Sequence, residues 1–319
     1  MEQVYTFGNY LKNKFSKKVY KVGINISGFT CPNIDGTVAK GGCTFCENDS
    51  FSASTGETKE LKGFYLNLNS KTNPNLQLQL DQLEMQFNAI SKRQSEEYGA
   101  EKFLVYFQSF TNTYAPFETL KALYEKALSF DNVIGLSIGT RSDSITEETL
   151  DYLAELNKEK EIWIEFGIQS VYDQTLEKIN RGHDSENVKE WILKSKKKGL
   201  NVCGHLIFGL PDENKDMMLE TSKQAYAWGI DSVKYHPLYV VKKTALANEF
   251  SKGKFTPISE EDYLDVLLKS ITMKPSNVSV QRVTAGINDN SLLSPDWCRD
   301  KNVQIKNINK VLKTIGLKY

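Results

Sequence analysis

The sequence predicts an α/β fold whose parallel sheet curls into a barrel or partial barrel, on three observations. Short apolar runs suited to buried strands alternate with longer stretches of helical period. The strand–helix order recurs roughly six times, as crossovers between parallel strands require. No solenoid-length repeat and no low-complexity linker interrupts the alternation. Right-handed crossovers then turn the sheet on itself, and chemistry collects at the carboxyl ends of the strands.

The first strand is expected over 20–27, whose sequence is YKVGINIS. A loop rich in glycine and cysteine follows over 28–51, and a polar stretch over 52–74. Leu76, Leu80, Leu83 and Phe87 recur on one face and predict a helix over 75–98. The continuous apolar run at 103–107 predicts a buried strand, followed by a helix near 116–129 and a strand over 133–138. Thr146 suits a helix cap, and Glu147 and Glu148 suit the positive end of the helix dipole. The repeat continues with a strand over 161–168, helices over 172–180 and 185–198, a strand over 201–208, a helix over 213–228 and a strand over 232–240. A helix over 259–273, a short strand over 277–283 and a helix over 301–315 close the chain. Residues 1–254 are therefore expected to form the barrel, and 255–319 a small C-terminal extension packed on it.

Composition narrows the function classes. The 319 residues are 40% hydrophobic and 25% charged, which excludes wholesale disorder. Forty basic and forty acidic residues cancel, which excludes an all-over basic binder but leaves room for a local basic face. No apolar run of ~18 residues predicts a membrane span. Residues 1–20 carry Lys12, Lys14, Lys17 and Lys18 without an apolar signal core, so secretion is not expected. Five cysteines, an odd count, point to a reducing cytoplasm rather than a disulfide framework. Neither a P-loop nor a dinucleotide fingerprint occurs.

Three of the cysteines fall together. Eleven residues separate Cys31 from Cys43, and two separate Cys43 from Cys46. Thiolates hold soft metals and iron–sulfur clusters, and a C-x-x-C pair lets two sulfurs grip one centre. Three cysteines leave one iron of a [4Fe–4S] cube without a protein ligand, the open position that a catalytic metal needs. A Cys₃His zinc site using His183, His205 or His236 stays open as the alternative, though none of these is near the cysteines in sequence.

The segment GFTCPNIDGTVAKGGCTFCENDSF closely resembles the cluster loop of radical S-adenosylmethionine (SAM) enzymes, in the branch called YhcC/YtqA-like. The resemblance runs from about residue 20 to the C-terminus. It implies a partial (β/α)₆ TIM-like barrel. It also implies a [4Fe–4S] cluster on Cys31, Cys43 and Cys46, with SAM on the open iron and Phe45 against the adenine. Ser109 and Thr111 occupy the place where relatives carry a glycine-rich SAM-binding motif. Thr140 and Arg141, in Gly139-Thr140-Arg141-Ser142-Asp143, resemble a turn of the related Elongator catalytic subunit and suit the SAM ribose or carboxylate; a simple turn is the alternative. Gln169 and Arg181 match SAM contacts of coproporphyrinogen-dehydrogenase-like relatives, and His205 stands where relatives place a ribose contact. A surface arginine at a helix end is the alternative reading of Arg181. Glu165 is either structurally paired or an active-site group, and His236 either a proton donor or a packed strand-end histidine. Arg282 meets a substrate carboxylate or ties the extension to the barrel.

The resemblance further implies a substrate. YtqA-like members convert the 5-carboxymethylaminomethyl group of the tRNA wobble uridine to 5-aminomethyl, which a separate methyltransferase completes. The anticodon loop would present a splayed base to the barrel mouth. A flavodoxin or ferredoxin is the expected electron donor. Three lysine clusters are candidate phosphate grips: Lys12, Lys14, Lys17, Lys18 and Lys21; Lys194, Lys196, Lys197 and Lys198; and Lys242 with Lys243. Two other classes remain open: a radical SAM enzyme acting on a small metabolite or protein side chain, and a non-catalytic iron–sulfur or zinc protein.

Overall fold

A computed structural model describes residues 1–47 and 64–319; the expectations that touch 48–63 lie outside the described residues. The chain runs β1 (Glu2–Gln3), α1 (Phe7–Phe15), β2 (Val19–Ile24), α2 (Leu76–Tyr98), β3 (Lys102–Phe107), α3 (Phe117–Leu128) and β4 (Val133–Thr140). There follow α4 (Glu147–Leu156), β5 (Glu161–Gln169), α5 (Asp173–Lys178), α6 (Ser185–Lys197), β6 (Asn201–Phe208), α7 (Lys215–Ala227) and β7 (Ser232–Pro237). The remainder is β8 (Val240–Val241), α8 (Ala245–Ser251), α9 (Glu260–Met273), β9 (Ser279–Arg282), β10 (Leu292–Ser294), α10 (Lys301–Lys313) and β11 (Leu317–Lys318).

Seven strands form one parallel sheet in the order β2-β3-β4-β5-β6-β7-β9, curled into a half-barrel. The six expected barrel strands are present. The seventh, β9, comes from beyond residue 254 and pairs with β7. Side chains alternate across each strand. Val22, Ile24, Val105, Phe107, Leu136, Ile138, Ile164 and Phe166 pack into the main core with the helices. The inward set includes Lys21, Tyr106, Ser137, Glu165, His205, Lys234 and Gln281, joined by hydrogen bonds inside the barrel.

Helix α1 closes the amino-terminal end of the barrel. Phe7 and Leu11 pack on Leu104, Trp163 and Cys203. Tyr10 donates to Glu161 at 2.6 Å, and Lys14 pairs with the same carboxylate at 2.6 Å. The sequence pattern did not predict this helix: nine residues with two lysines in the last turn are short for a periodic signal, and its stability comes from the plug contact and a Thr6 capping box.

Strand β2 ends at Ile24, three residues earlier than expected, because α2 takes over its backbone partners. Gln86 accepts from the Asn25 N–H and donates to the Asn25 carbonyl, at 3.0 and 2.8 Å. Gln82 accepts from the Ser27 N–H at 3.1 Å, and Gln79 donates to the Ser27 carbonyl at 2.7 Å. These buried amides replace a strand ladder and aim the chain into the cysteine loop. Strand β7 likewise stops at Pro237, and Val240–Val241 pairs antiparallel with β10 instead.

Candidate active site

Cys31, Cys43, Phe45 and Cys46 line one cavity at the carboxyl ends of the barrel strands. The loop that carries them docks on the turn after α5. The fully buried Asn33 donates to the Asn180 and Arg181 carbonyls at 2.5 and 2.9 Å, and Asn180 donates back to Lys40 and Gly42 carbonyls at 3.1 and 2.7 Å. The Thr44 N–H reaches the Ile179 carbonyl at 3.0 Å. Gly182 completes the seam. Its φ is +80°, and a Cβ there would lie 2.6 Å from Asn33 Oδ1 and 2.7 Å from Val38 Cγ1, so no side chain fits.

Burial, with Cys43 and Cys31 nearby, pushes the Cys46 thiol up to about 12. The donor set suits a multi-iron centre better than one zinc. A zinc ion holding thiolates at ~2.3 Å brings its sulfurs to ~3.8 Å from one another. Among the described residues, the only metal-ligating group gathered within 4.8 Å is Glu165, Cys203 and His205; the three loop cysteines are spread wider, and no histidine joins them at that range. Three thiols with no histidine or carboxylate gathered beside them match a cluster that leaves one iron open.

The opposite wall holds unsatisfied polar atoms. Arg141 chelates Asp143 through Nε and Nη2 at 2.8 and 2.6 Å and donates to the Arg181 carbonyl at 2.7 Å. Arg181, buried rather than at the surface, donates to the Gly167 carbonyl at 3.0 Å and lies 3.9 Å from Cys43 Sγ. Arg141 Nη1, Arg181 Nε and Gln169 Oε1 are buried without a partner among the described residues. Gln169 also sits at φ +65°, strained for a non-glycine residue, where β5 slips register against β6. Buried orphans cost about 1–3 kcal/mol each unless a ligand meets them. Two arginine N–H groups and one amide oxygen complement an α-amino-acid head: a carboxylate accepts from the first, an ammonium donates to the second. Thr111 and Thr140 also line this cavity, the latter with its hydroxyl tied to Thr113 at 2.6 Å. Ser109 is buried, its hydroxyl without a partner among the described residues, and it is not part of the lining.

The floor is a charged network that sequence reasoning saw only in part. Lys21 and Ser137 each donate to Glu165 Oε1 at 2.5 Å, while His205 Nε2, at 2.7 Å, and Lys234 meet Oε2. Lys21 also donates to Gln281 at 2.6 Å, and Lys234 to Tyr106 at 3.0 Å. Burial alone would raise the Glu165 carboxyl, but Lys21, Lys234 and the His205 hydrogen bond outweigh it and hold the group well below the carboxylate range. Glu165 is thus structurally paired, a fixed anion with both oxygens engaged. Burial, then Lys234, brings His205 down to about 4. Burial, then Arg282, holds His236 well below its ordinary value, so both imidazoles are neutral at pH 7. Arg282 lines the cavity from β9. Among the described residues its guanidinium has no hydrogen bond and no ion pair.

Glu165, His205, His236, Arg282, Gln169, Arg181, Arg141, Thr140, Thr111, Phe45 and the three cysteines therefore converge on one cavity. Sequence reasoning missed Lys234, Tyr106, Gln281, Asn33 and Asn180, and it grouped Lys21 with surface lysines. The available signal for Lys21 and Lys234 was a lysine in the middle of an apolar strand, in VYKVGI and SVKYHP.

The sequence matches the profile of the Radical SAM superfamily over residues 35–225 and that of the Radical_SAM C-terminal domain over 230–314. It is 36% identical over 315 residues to the uncharacterized protein YtqA of Bacillus subtilis, which spans 99% of this chain and 91% of that one. It is 28% identical over 157 residues to the tRNA uridine(34) acetyltransferase of Methanocaldococcus infernus, a match covering 48% of this chain and 29% of the relative. An N-terminally shortened archaeal Elp3 from Methanocaldococcus infernus shares the fold, with a TM-score of 0.63 at 18% identity over 94% of this chain and 64% of that one.

Proposed function

Because the chain belongs to the radical SAM superfamily, whose enzymes use a [4Fe–4S] cluster and SAM, we propose that it converts 5-carboxymethylaminomethyluridine to 5-aminomethyluridine at the tRNA wobble position. The observation that carries this reading is Arg282. A guanidinium on the cavity wall without a partner among the described residues, with the buried Lys234 ammonium nearby, is a seat for an anion, and this substrate offers a carboxylate at the end of its side chain. The similarity to a tRNA uridine(34)-modifying relative supports the RNA part of the reading.

In this reading Cys31, Cys43 and Cys46 hold the cluster and Phe45 lies on the adenine of SAM. Arg141, Arg181 and Gln169 bind its amino-acid end, with Thr111, Thr140 and His205 beside it and Ser109 buried outside the lining. When bound, the two cofactors supply a 5′-deoxyadenosyl radical able to take hydrogen from an unactivated carbon. The chain's own residues do the positioning. Arg282 clamps the carboxylate. His236, kept neutral, trades a proton with the substrate's secondary amine. Glu165 fixes Lys234 and His205 and takes no proton. The polar floor and the α1 plug leave the carboxyl end as the way in. We take residues 1–254 as the barrel's first six strands with their helices, and 255–319 as the extension that adds β9 to the sheet and supplies Arg282. The electron is taken from a flavodoxin or ferredoxin, and the product passes to a methyltransferase. No described helix is long and apolar enough to cross a membrane, and the reading puts the protein in the cytoplasm with its tRNA.

Deleting the gene in its native cell and measuring tRNA nucleosides tests the reading. Accumulated 5-carboxymethylaminomethyluridine with loss of the 5-aminomethyl product is expected; an unchanged wobble profile overturns it.

A further inference from the structure

A parallel barrel has two chemically different ends, and the lysines divide between them. The cavity opens at the carboxyl end of the strands. Strands of six to nine residues at ~3.3 Å per residue set the two ends roughly 20–30 Å apart. Lys12, Lys14, Lys17 and Lys18 lie on α1 or just before β2, at the closed end. Lys14 pairs with Glu161 and Lys17 with Glu101, each at 2.6 Å; Lys18 donates to the Tyr98 carbonyl at 2.5 Å; Lys21 is buried on Glu165. The lysines ending α6 precede β6 and so stand at the same closed end. Lys194 pairs with Glu147 at 2.7 Å and Glu190 at 2.9 Å, Lys196 with Asp231 at 2.5 Å, and Lys198 with Asp151.

Lys12 and Lys197 are the exposed members of these clusters without an ion pair among the described residues, and they stay at the closed end. Lys242 and Lys243 differ in place. They are exposed, and neither is in an ion pair among the described residues. Their turn is fixed at the cavity rim. Tyr239, three residues before Lys242, is cavity wall. The Lys242 N–H is held by the Ser291 carbonyl at 2.9 Å, and the Leu246 N–H by the Thr44 carbonyl of the cysteine loop at 2.8 Å. Asp289 is the acid near Lys242, but its carboxyl is engaged first by Ser291. On the cysteine loop Lys40 is also exposed and in no ion pair among the described residues, with its carbonyl anchored by Asn180 at 3.1 Å. Beside it are Ile34 and Val38, apolar side chains 37% and 46% exposed.

We infer that the RNA lies across this rim, with phosphates on the Lys242–Lys243 turn and on Lys40 and with Ile34 and Val38 against its bases, while the two larger lysine clusters take no part. The inference rests on the tRNA reading above. It follows from charge and place: a lysine already paired must break that pair to gain a phosphate, and a phosphate at the closed end is a barrel's length from the mouth that a splayed base must enter.

The test uses the full-length reconstituted enzyme and bulk tRNA, with binding followed by fluorescence anisotropy over a salt series. The double variant Lys242→Glu/Lys243→Glu is expected to weaken binding about tenfold or more and to flatten the log Kd–log salt slope by about 1.4, at ~0.7 per single-strand phosphate contact. Its SAM cleavage without RNA stays at the wild-type level, and Lys242→Arg/Lys243→Arg restores binding. The triple variant Lys194→Gln/Lys196→Gln/Lys198→Gln is expected to bind within twofold of wild type. Wild-type affinity and slope in the rim variant, or a loss in the triple variant, overturn the inference while leaving the tRNA reading standing. A wild-type enzyme that binds no tRNA overturns both.

Discussion

Arg282 and Glu165 are both charged and both in the cavity, yet their surroundings assign them opposite tasks. The Arg282 guanidinium has no hydrogen bond or ion pair among the described residues and is open to a ligand. Replacing it with Gln removes a charge-assisted contact worth about 1.5–3 kcal/mol, so KM for the modified tRNA is expected to rise roughly 10- to 100-fold while SAM cleavage without tRNA is unchanged; steady-state kinetics on both reactions checks the split. Glu165 is saturated, and Glu165→Gln leaves Lys21 and Lys234 buried without their counter-ion. About 3–5 kcal/mol of stability is expected to go, measured by denaturant unfolding. His205 carries a pH dependence of known sign. Its folded value of about 4 lies below the ordinary ~6.5, so its contribution is complete above pH 6.5 and fades as pH falls towards 4. Against a His205→Gln variant, the wild type should lose up to ~1.4 kcal/mol per pH unit in that window; unfolding midpoints at pH 7, 6 and 5 decide it. At this scale the cysteines were legible because spacing alone marks them. The roles of Glu165 and Lys21 were not, because a strand sequence does not say which face turns inward or what waits across the barrel.

Among the elements, the cysteine loop and its dock show what one glycine can control. Gly182→Ala forces a Cβ to 2.6 Å from the buried Asn33 amide in a left-handed backbone conformation. The loop is expected to lift from the 179–182 turn, and iron bound per chain to fall by more than half with the circular dichroism of the barrel intact; iron analysis beside the spectrum reads both. The buried strands β3, β5 and β6 were legible from their apolar runs, and α4 from its cap and first-turn acids. Helix α1 was not, since its nine residues are decided by Trp163 and Glu161, which lie some 150 residues away in sequence. The early end of β2 was hidden for a similar reason: Gln79, Gln82 and Gln86 look like a polar helix face until the barrel brings Asn25 and Ser27 against them.

Across the whole molecule, the curl of the sheet gathers groups that the sequence scatters from Lys21 to Arg282. Neutral net charge masks a division: most lysines of the closed-end clusters are tied in ion pairs, while Lys40, Lys242 and Lys243 at the mouth have none among the described residues. The alternating order of strands and helices was enough to foresee the barrel, and the resemblance of the cysteine loop to radical SAM enzymes was enough to foresee the [4Fe–4S] cluster and SAM. That β9 adds a seventh strand and carries Arg282 to the cavity depends on a pairing with β7 that no local pattern announces. The central claim joins this fold to one reaction. The most direct measurement incubates the anaerobically reconstituted enzyme with reductant, SAM and tRNA bearing 5-carboxymethylaminomethyluridine, and quantifies nucleosides and 5′-deoxyadenosine by mass spectrometry. The account predicts that 5-aminomethyluridine appears as the starting nucleoside disappears, with 5′-deoxyadenosine formed alongside. 5′-Deoxyadenosine formed at the same rate with and without tRNA, and a wobble nucleoside left unchanged, would contradict it.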